Sequence, residues 1–229
     1  MGTLIGKKAF ITGSEQGIGW ATAEKLILAG CDVFLHYHSG EEGPQALAAI
    51  ASSRGQKAAW RYADLIDTED ATACVQAAAE FLGGIDILVN NVGGIVGRKW
   101  LGEIDRQFWQ TVLDVNMTTM LNVTQAALPW LKSATDGASI INLASLAGRS
   151  GGHAGSLAYS TTKGAILTWT RSLAAELGEH GVRVNAVAPG LILGTRFHNR
   201  HTTQASADET IRQIPLKRAG TPDDVARAI

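Results

Sequence analysis

With 229 residues, a formal net charge of −1, and 18% charged against 45% hydrophobic residues, the chain has the apolar content of one folded α/β domain. This balance excludes a disordered chain and a polyanion-binding surface, so nucleic acid is not expected as a partner. Cys31 and Cys74 have neither Cys-x-x-Cys nor metal-ligand spacing, Met1–Lys8 is too short and polar for a signal peptide, and no apolar run approaches the roughly 20 residues of a membrane helix. A reduced, cytoplasmic setting without membrane attachment is expected.

Short apolar runs alternate with longer segments of helical spacing. The runs are Ala9–Ile11, Val33–Leu35, Ala58–Tyr62, Ile85–Val89, Ile140–Leu143 and Val184–Val187. Apolar residues three and four apart predict helices such as Ala21–Leu28, Ala71–Phe81, Phe108–Leu131 and Ile166–Leu177. This alternation predicts an α/β fold with a doubly wound parallel sheet, buried on both faces, in a single domain over residues 1–229. Near the end, Thr221 caps and Pro222 opens a helix of about two turns. A further C-terminal strand is therefore expected to be missing from the sheet.

The loop after the first strand reads Thr12-Gly13-Ser14-Glu15-Gln16-Gly17-Ile18-Gly19 and leads into a helical pattern. A plain strand-to-helix turn uses glycines too. Placed after the first strand, however, they let backbone approach a pyrophosphate while the helix N-terminus offers unpaired N–H groups. The expected ligand is a dinucleotide, which makes the fold a Rossmann fold. About 20 residues on, Leu35-His36-Tyr37-His38-Ser39 lacks the carboxylate that grips the adenosine ribose of NAD, which favours NADP with His38 and Ser39 at its 2′-phosphate. NAD is the second choice, because Glu15 and Gln16 supply no positive charge. His36 and His38 lie two apart, as metal ligands on a strand can, but no third ligand accompanies them, so no metal is expected.

Tyr159 and Lys163 fall one turn apart on a predicted helix. A neighbouring ammonium favours the phenolate and so lowers a phenol pKa that in water lies near 10. Such a phenol can give a proton to a carbonyl oxygen that receives hydride, or take one from an alcohol. Ser145 stands upstream at a strand end, where its hydroxyl can hydrogen-bond the same oxygen.

Together these motifs resemble the short-chain dehydrogenase/reductase family, over Lys8 to Ile229. The matching residues are Thr12-Gly13-x-x-x-Gly17-Ile18-Gly19, Asp64, Asn90-Asn91-Val92-Gly93, Asn116, Ser145, Tyr159-x-x-x-Lys163 and Pro189-Gly190. The resemblance implies a hydride-transferring oxidoreductase close to 3-oxoacyl-carrier-protein reductases and to sugar or polyol dehydrogenases. It implies that Tyr159 is the acid/base, with Lys163 tuning it and binding the nicotinamide ribose, Ser145 polarising the substrate oxygen and Asn116 holding a proton-relay water. The glycine loop, with Gly13, Ser14, Gln16, Gly17, Ile18 and Gly19, would cradle the cofactor. Asp64 and Leu65 would meet the adenine, Asn90 would support the cofactor loop beside Val92 and Gly93, and Pro189, Gly190 and Ile192 would lie at the carboxamide. A dinucleotide-binding sensor or scaffold is the non-catalytic alternative.

Four departures from the family pattern stand out. Val92 replaces the usual alanine, the Ser145–Tyr159 interval is one residue longer, Thr195 is displaced by Gly194, and relatives continue past Ile229. Three loops, Gly93–Gly102, Leu146–Leu157 and a substrate loop at about Leu191–Pro215, are expected around the nicotinamide. Their cations, Arg98, Lys99, Arg149, Arg196, Arg200, His198 and His201, point to an anionic or carrier-bound carbonyl substrate. A homodimer or homotetramer paired through helices beginning near Asp105 and Tyr159 is expected from the resemblance.

Overall fold

The computed structural model describes residues 4–195 and 203–229. Among them, six strands form one parallel sheet: β1 (Lys8–Ile11), β2 (Asp32–Tyr37), β3 (Ala58–Tyr62), β4 (Ile87–Asn90), β5 (Ala138–Leu143) and β6 (Val182–Val187). Their spatial order is β3-β2-β1-β4-β5-β6, so the chain reverses its direction of winding between β1 and β4 and leaves a crevice at their C-terminal ends. This is the doubly wound arrangement expected from the alternating pattern.

The strands read as unbroken apolar runs because both faces are covered. Neighbouring residues go to opposite sides: Phe10, Phe34, Leu88 and Ile140 join one core cluster, while Ile11, Leu35, Val89 and Ile141 join the other. Helices α3 (Thr68–Leu82), α5 (Thr119–Lys132) and α7 (Leu157–Leu177) supply Val75, Val123 and Leu177 to the first cluster. Helices α1 (Gly17–Leu28) and α2 (Glu42–Ser53) supply Ile27 and Leu47 to the second.

Most elements extend a few residues beyond their apolar runs, and three further differences bear on the frame of the site. The fourth strand begins at Ile87 rather than Ile85, because Asp86 turns its carboxylate back to accept the Lys8 N–H at 2.9 Å. Val182 extends the sixth strand backwards, after Gly181 adopts the left-handed φ of 70° that ends the preceding turn. The continuous helix expected over Phe108–Leu131 is instead α4 (Arg106–Leu113), a π-helical turn (Asp114–Thr118) and then α5. Such a turn inserts one residue into the helical ladder, and this one carries Asn116.

The short helix α6 (Ala147–Ser150) precedes α7. Beyond β6, α8 (Gln204–Gln213) lies between Leu191 and Pro215, and α9 (Pro222–Ala226) begins with the expected cap, Thr221 accepting from the Asp224 N–H. Arg196, His198, Arg200 and His201 lie outside the described residues. No described helix is long and apolar enough to cross a membrane, and no described group of three His, Cys, Asp or Glu side chains is placed to hold a metal.

Candidate functional site

A cleft of about 590 Å³ opens at the C-terminal ends of β1, β4, β5 and β6, within the usual size range for a small-molecule site. Hydroxyl and amide groups hold together the turns that border it. The Thr12 hydroxyl donates to Val89 O at 3.2 Å and accepts the N–H groups of Asn91 and Val92 at 2.9 and 3.1 Å, which uses its full hydrogen-bonding capacity. The Asn91 amide donates in turn to the carbonyls of Thr12 and Gly13, both at 2.9 Å. The turns after β1 and β4 are thereby locked together at the topological switch point. Sequence reasoning listed Thr12 and Asn91 only as motif letters.

The glycine positions are needed for close approach. Gly13 and Gly17 adopt left-handed φ values of 63° and 57°, and a Cβ on Gly19 would lie 2.1 Å from Gly13 O. Helix α1 starts with no side-chain cap at Gln16 and no acid in its first turn. Its first N–H groups therefore lack the usual intrahelical or capping acceptors and face the cleft beside Gly17 and Ile18. An uncapped N-terminus behind a sharply turned glycine loop fits a pyrophosphate.

The tyrosine and serine meet as the motif predicts. Tyr159 and Ser145 both line the cleft, and their hydroxyls are hydrogen-bonded. The longer Ser145–Tyr159 interval is absorbed by Gly151, Gly152 and Gly155, with φ of 85°, 72° and 73°, so the extra residue does not displace Ser145. Lys163, expected to lower the phenol pKa, does not offset the burial of the ring. Burial raises the Tyr159 pKa, and the Ser145 bond opposes that rise only in part. The Lys163 ammonium lies over the Tyr159 ring, 5.9 Å from its centroid, and donates to Leu143 O at 2.7 Å. Burial pushes its own pKa down to about 8.

Asn116 is fully buried, and its amide braces the loop after β4. It accepts Gly94 N–H at 3.0 Å, donates to Gly94 O at 2.9 Å and donates to Val112 O at 3.0 Å. Both amide protons are thus engaged by protein, so the side chain holds the loop from within the π-helical turn. Gly93 separates this amide from the lysine: a Cβ there would lie 2.8 Å from Asn116 Oδ1 and 2.9 Å from Lys163 Nζ.

Other predicted positions divide by location. Val92, Pro189, Gly190 and Ile192 line the cleft, and Thr195 does so despite its displacement, packing its methyl against the position a Gly17 Cβ would take. Ser14 and Asn90 lie beneath. Ser14 bonds to His36 O through both its N–H and its hydroxyl, and Asn90 bonds across β4 and β5 to Asn142 Oδ1 at 2.9 Å. His38, Ser39, Asp64 and Leu65 sit at the ends of β2 and β3, outside the cleft lining. His38 stacks on Tyr62, and Ser39 donates to Glu15 Oε1 at 3.3 Å. Glu15, absent from the sequence-derived site, brings a carboxylate from the glycine loop to a strand end that has none of its own.

The cations expected to attract an anion are partly engaged. Lys99 pairs with Asp105 at 2.9 Å and lies over Phe108. Arg98 reaches the cleft wall but donates to Ser156 Oγ at 2.7 Å and Ala154 O at 3.2 Å, tying the loop after β4 to the one before α7. His153 also lines the cleft, a placement that only its position between Ser145 and Tyr159 could have signalled.

The chain is similar to known proteins over nearly its whole length. A family described as enoyl-(acyl carrier protein) reductase matches residues 13–229. The chain is 38% identical to a 3-oxoacyl-(acyl-carrier-protein) reductase of Aquifex aeolicus, covering 99% of this chain and 89% of that protein. It is 33% identical to glucose 1-dehydrogenase 2 of Bacillus subtilis, over 98% and 86% of the two chains. Among solved structures, a short-chain dehydrogenase of Burkholderia cenocepacia in complex with NADP superposes with a TM-score of 0.89 at 31% identity, over 98% and 89% of the two chains. The NADH-dependent reductase A1-R′ complexed with NAD gives 0.86 at 32% identity, over 98% and 87%.

Proposed function

Because the chain belongs to the short-chain dehydrogenase/reductase family, we propose that it is a ketoreductase that uses NADP(H) to interconvert a small carbonyl compound and its alcohol. The observation that carries this reading is the hydrogen-bonded Ser145–Tyr159 pair at the mouth of a cleft whose other wall is an uncapped helix N-terminus. The glycine loop and the start of α1 would hold the pyrophosphate, and Gly93, Pro189 and Gly190 would flank the nicotinamide half. When bound, the dinucleotide supplies the hydride.

The chain's own groups supply the rest. Ser145 donates to the substrate oxygen and orients it, and Tyr159 passes that oxygen a proton, or removes one from the alcohol in the reverse direction. Lys163 stands behind the ring as a cation, whose field strengthens once the cleft excludes water. Arg98, Ser156 and His153 border the space left for substrate, which supports an acyl or otherwise elongated carbonyl compound, including one carried as a thioester. A homo-oligomer in the cytoplasm is part of the same proposal, supported by the free, buried thiols of Cys31 and Cys74 and by the exposed apolar residues Trp100 and Leu101 just before α4.

One observation favours a second reading of the cofactor. Glu15 Oε2 is buried without a hydrogen-bond partner next to Ser39, and a carboxylate there would accept a ribose 2′-hydroxyl and repel a 2′-phosphate, as NAD(H) requires. Absorbance at 340 nm with NADPH and with NADH against acyl thioesters, ketoesters and sugars decides cofactor and substrate class together. Oxidation of NADPH by a 3-oxoacyl thioester supports the first reading. Turnover with NADH alone supports the second, and no turnover of either dinucleotide with any carbonyl leaves a sensor or scaffold.

A further inference from the structure

Of the two histidines spaced as metal ligands, one is built into the glycine loop. His36 on β2 is 1% exposed, and its Nδ1 accepts Gly13 N–H at 3.0 Å while its Nε2 lies 3.0 Å from Ala63 O at the end of β3. A backbone N–H can only donate and a carbonyl can only accept. Nδ1 therefore carries the lone pair and Nε2 the proton, and the imidazole is neutral with one tautomer selected by two partners. The backbone of the same residue takes the next step of the loop, its carbonyl accepting Ser14 N–H at 2.9 Å and Ser14 Oγ–H at 3.0 Å.

From the opposite side, Asn91 Nδ2 donates to Gly13 O at 2.9 Å. The Gly13 residue is thus gripped at its N–H by β2 and at its carbonyl by the turn after β4, in a left-handed conformation with φ of 63°. Without Nδ1, that N–H would lose the acceptor that fixes the direction of the turn.

We propose that His36 is a positioning residue for the dinucleotide. Its neutral imidazole takes up the Gly13 amide and sets the direction of that turn, so that the amides at the start of α1, and not that of Gly13, face the pyrophosphate. The proposal rests on the glycine loop being a dinucleotide site. It gives His36 a task unrelated to metal binding and distinct from filling space under the sheet.

His36→Phe keeps an aromatic ring, slightly larger than imidazole, and removes both side-chain hydrogen bonds. Calorimetric titration is expected to show the Kd of both NADH and NADPH rising by about tenfold, since the pyrophosphate is common to the two, the size of effect one directing hydrogen bond produces. The KM for the dinucleotide is expected to follow, with kcat at saturation falling by less than about threefold. A variant that is less heat-stable but binds both dinucleotides as tightly as the unaltered protein would reduce His36 to a packing residue and overturn the proposal.

Should the variant not fold, the unaltered 15N-labelled protein answers the question. Long-range 1H–15N spectra are expected to show the Nε2–H tautomer of His36 and a shift of its Nδ1 on saturation with NADH or NADPH, whichever binds. An Nδ1–H tautomer, or an Nδ1 signal indifferent to saturation, would overturn it. If the unaltered protein binds neither dinucleotide, the reading of the glycine loop falls and takes this role with it, a result distinct from binding that His36 does not influence.

Discussion

At the scale of single residues, burial shifts both Tyr159 and Lys163 toward their neutral forms. Lys163 loses hydration on entering the fold, which holds its pKa at about 8 against an ordinary 10.5. That difference costs about 3 kcal/mol of stability at pH 7, whereas its hydrogen bond to Leu143 O returns about 1.5–3 kcal/mol. Lys163→Met is therefore expected to leave the thermal midpoint at pH 7 unchanged or slightly raised while activity collapses, a combination that differential scanning calorimetry and a turnover assay check together. Tyr159→Phe removes one hydroxyl and nothing else. Turnover is expected to fall by about 10²- to 10⁴-fold with dinucleotide Kd altered by less than about threefold, as isothermal titration and steady-state rates would show.

His36 makes the stability of the protein depend on acid. Burial is the main reason its pKa falls to about 4 from 6.5; His38 adds to the drop, while its bond to Ala63 and the carboxylates of Asp70 and Asp64 oppose it. Between those two pH values the unfolded chain binds a proton that the folded one excludes. The contribution of the neutral imidazole is thus complete above about pH 6.5 and is lost as pH falls toward 4, about 3 kcal/mol in all. Urea midpoints at pH 7 and pH 5 are expected to differ more for the unaltered protein than for His36→Phe, and equal differences would count against this account.

At the scale of elements, the site depends on interruptions in regular structure. The π-helical turn between α4 and α5 lets Asn116 reach back to both the N–H and the carbonyl of Gly94, which an unbroken helix would point elsewhere. Gly93 then has to be bare. Gly93→Ala would drive a methyl into Asn116 Oδ1 and Lys163 Nζ from a backbone at φ 153°, so the loop after β4 must shift. The expected outcome is a loss of kcat/KM of at least about tenfold with a stability loss of about 1–3 kcal/mol, from kinetics and urea denaturation of the same sample. Gly148 acts similarly on the other side, where a Cβ would lie 2.5 Å from the Lys163 carbonyl carbon, so α6 packs against the backbone of α7 and not on its side chains.

At the scale of the molecule, every site residue on a strand end comes to one edge because all six strands run parallel. The exposed Trp100 and Leu101 sit just before α4, and Leu157, also exposed, opens α7, the two regions through which a homo-oligomer is proposed to pair. Light scattering is expected to report twice or four times the mass of one chain, and Leu101→Glu is expected to shift that mass downward. A monomer in the unaltered protein would remove the oligomer from the proposal.

The sequence alone determined the alternation of strands and helices, the winding of the sheet, and the family, because burial on both faces leaves continuous apolar runs and because the glycine, tyrosine and lysine motifs are local. Chain-local spacing likewise put Tyr159 and Lys163 on one helical face. Only the tertiary structure decided which side chains serve the loops. It brought Glu15 to Ser39 across the end of β2, placed His36 Nδ1 as the acceptor for the Gly13 N–H, and engaged Lys99 with Asp105. The physical reason is that hydrogen bonds and desolvation act between groups far apart in the chain, whereas hydrophobic period and turn chemistry act between near neighbours.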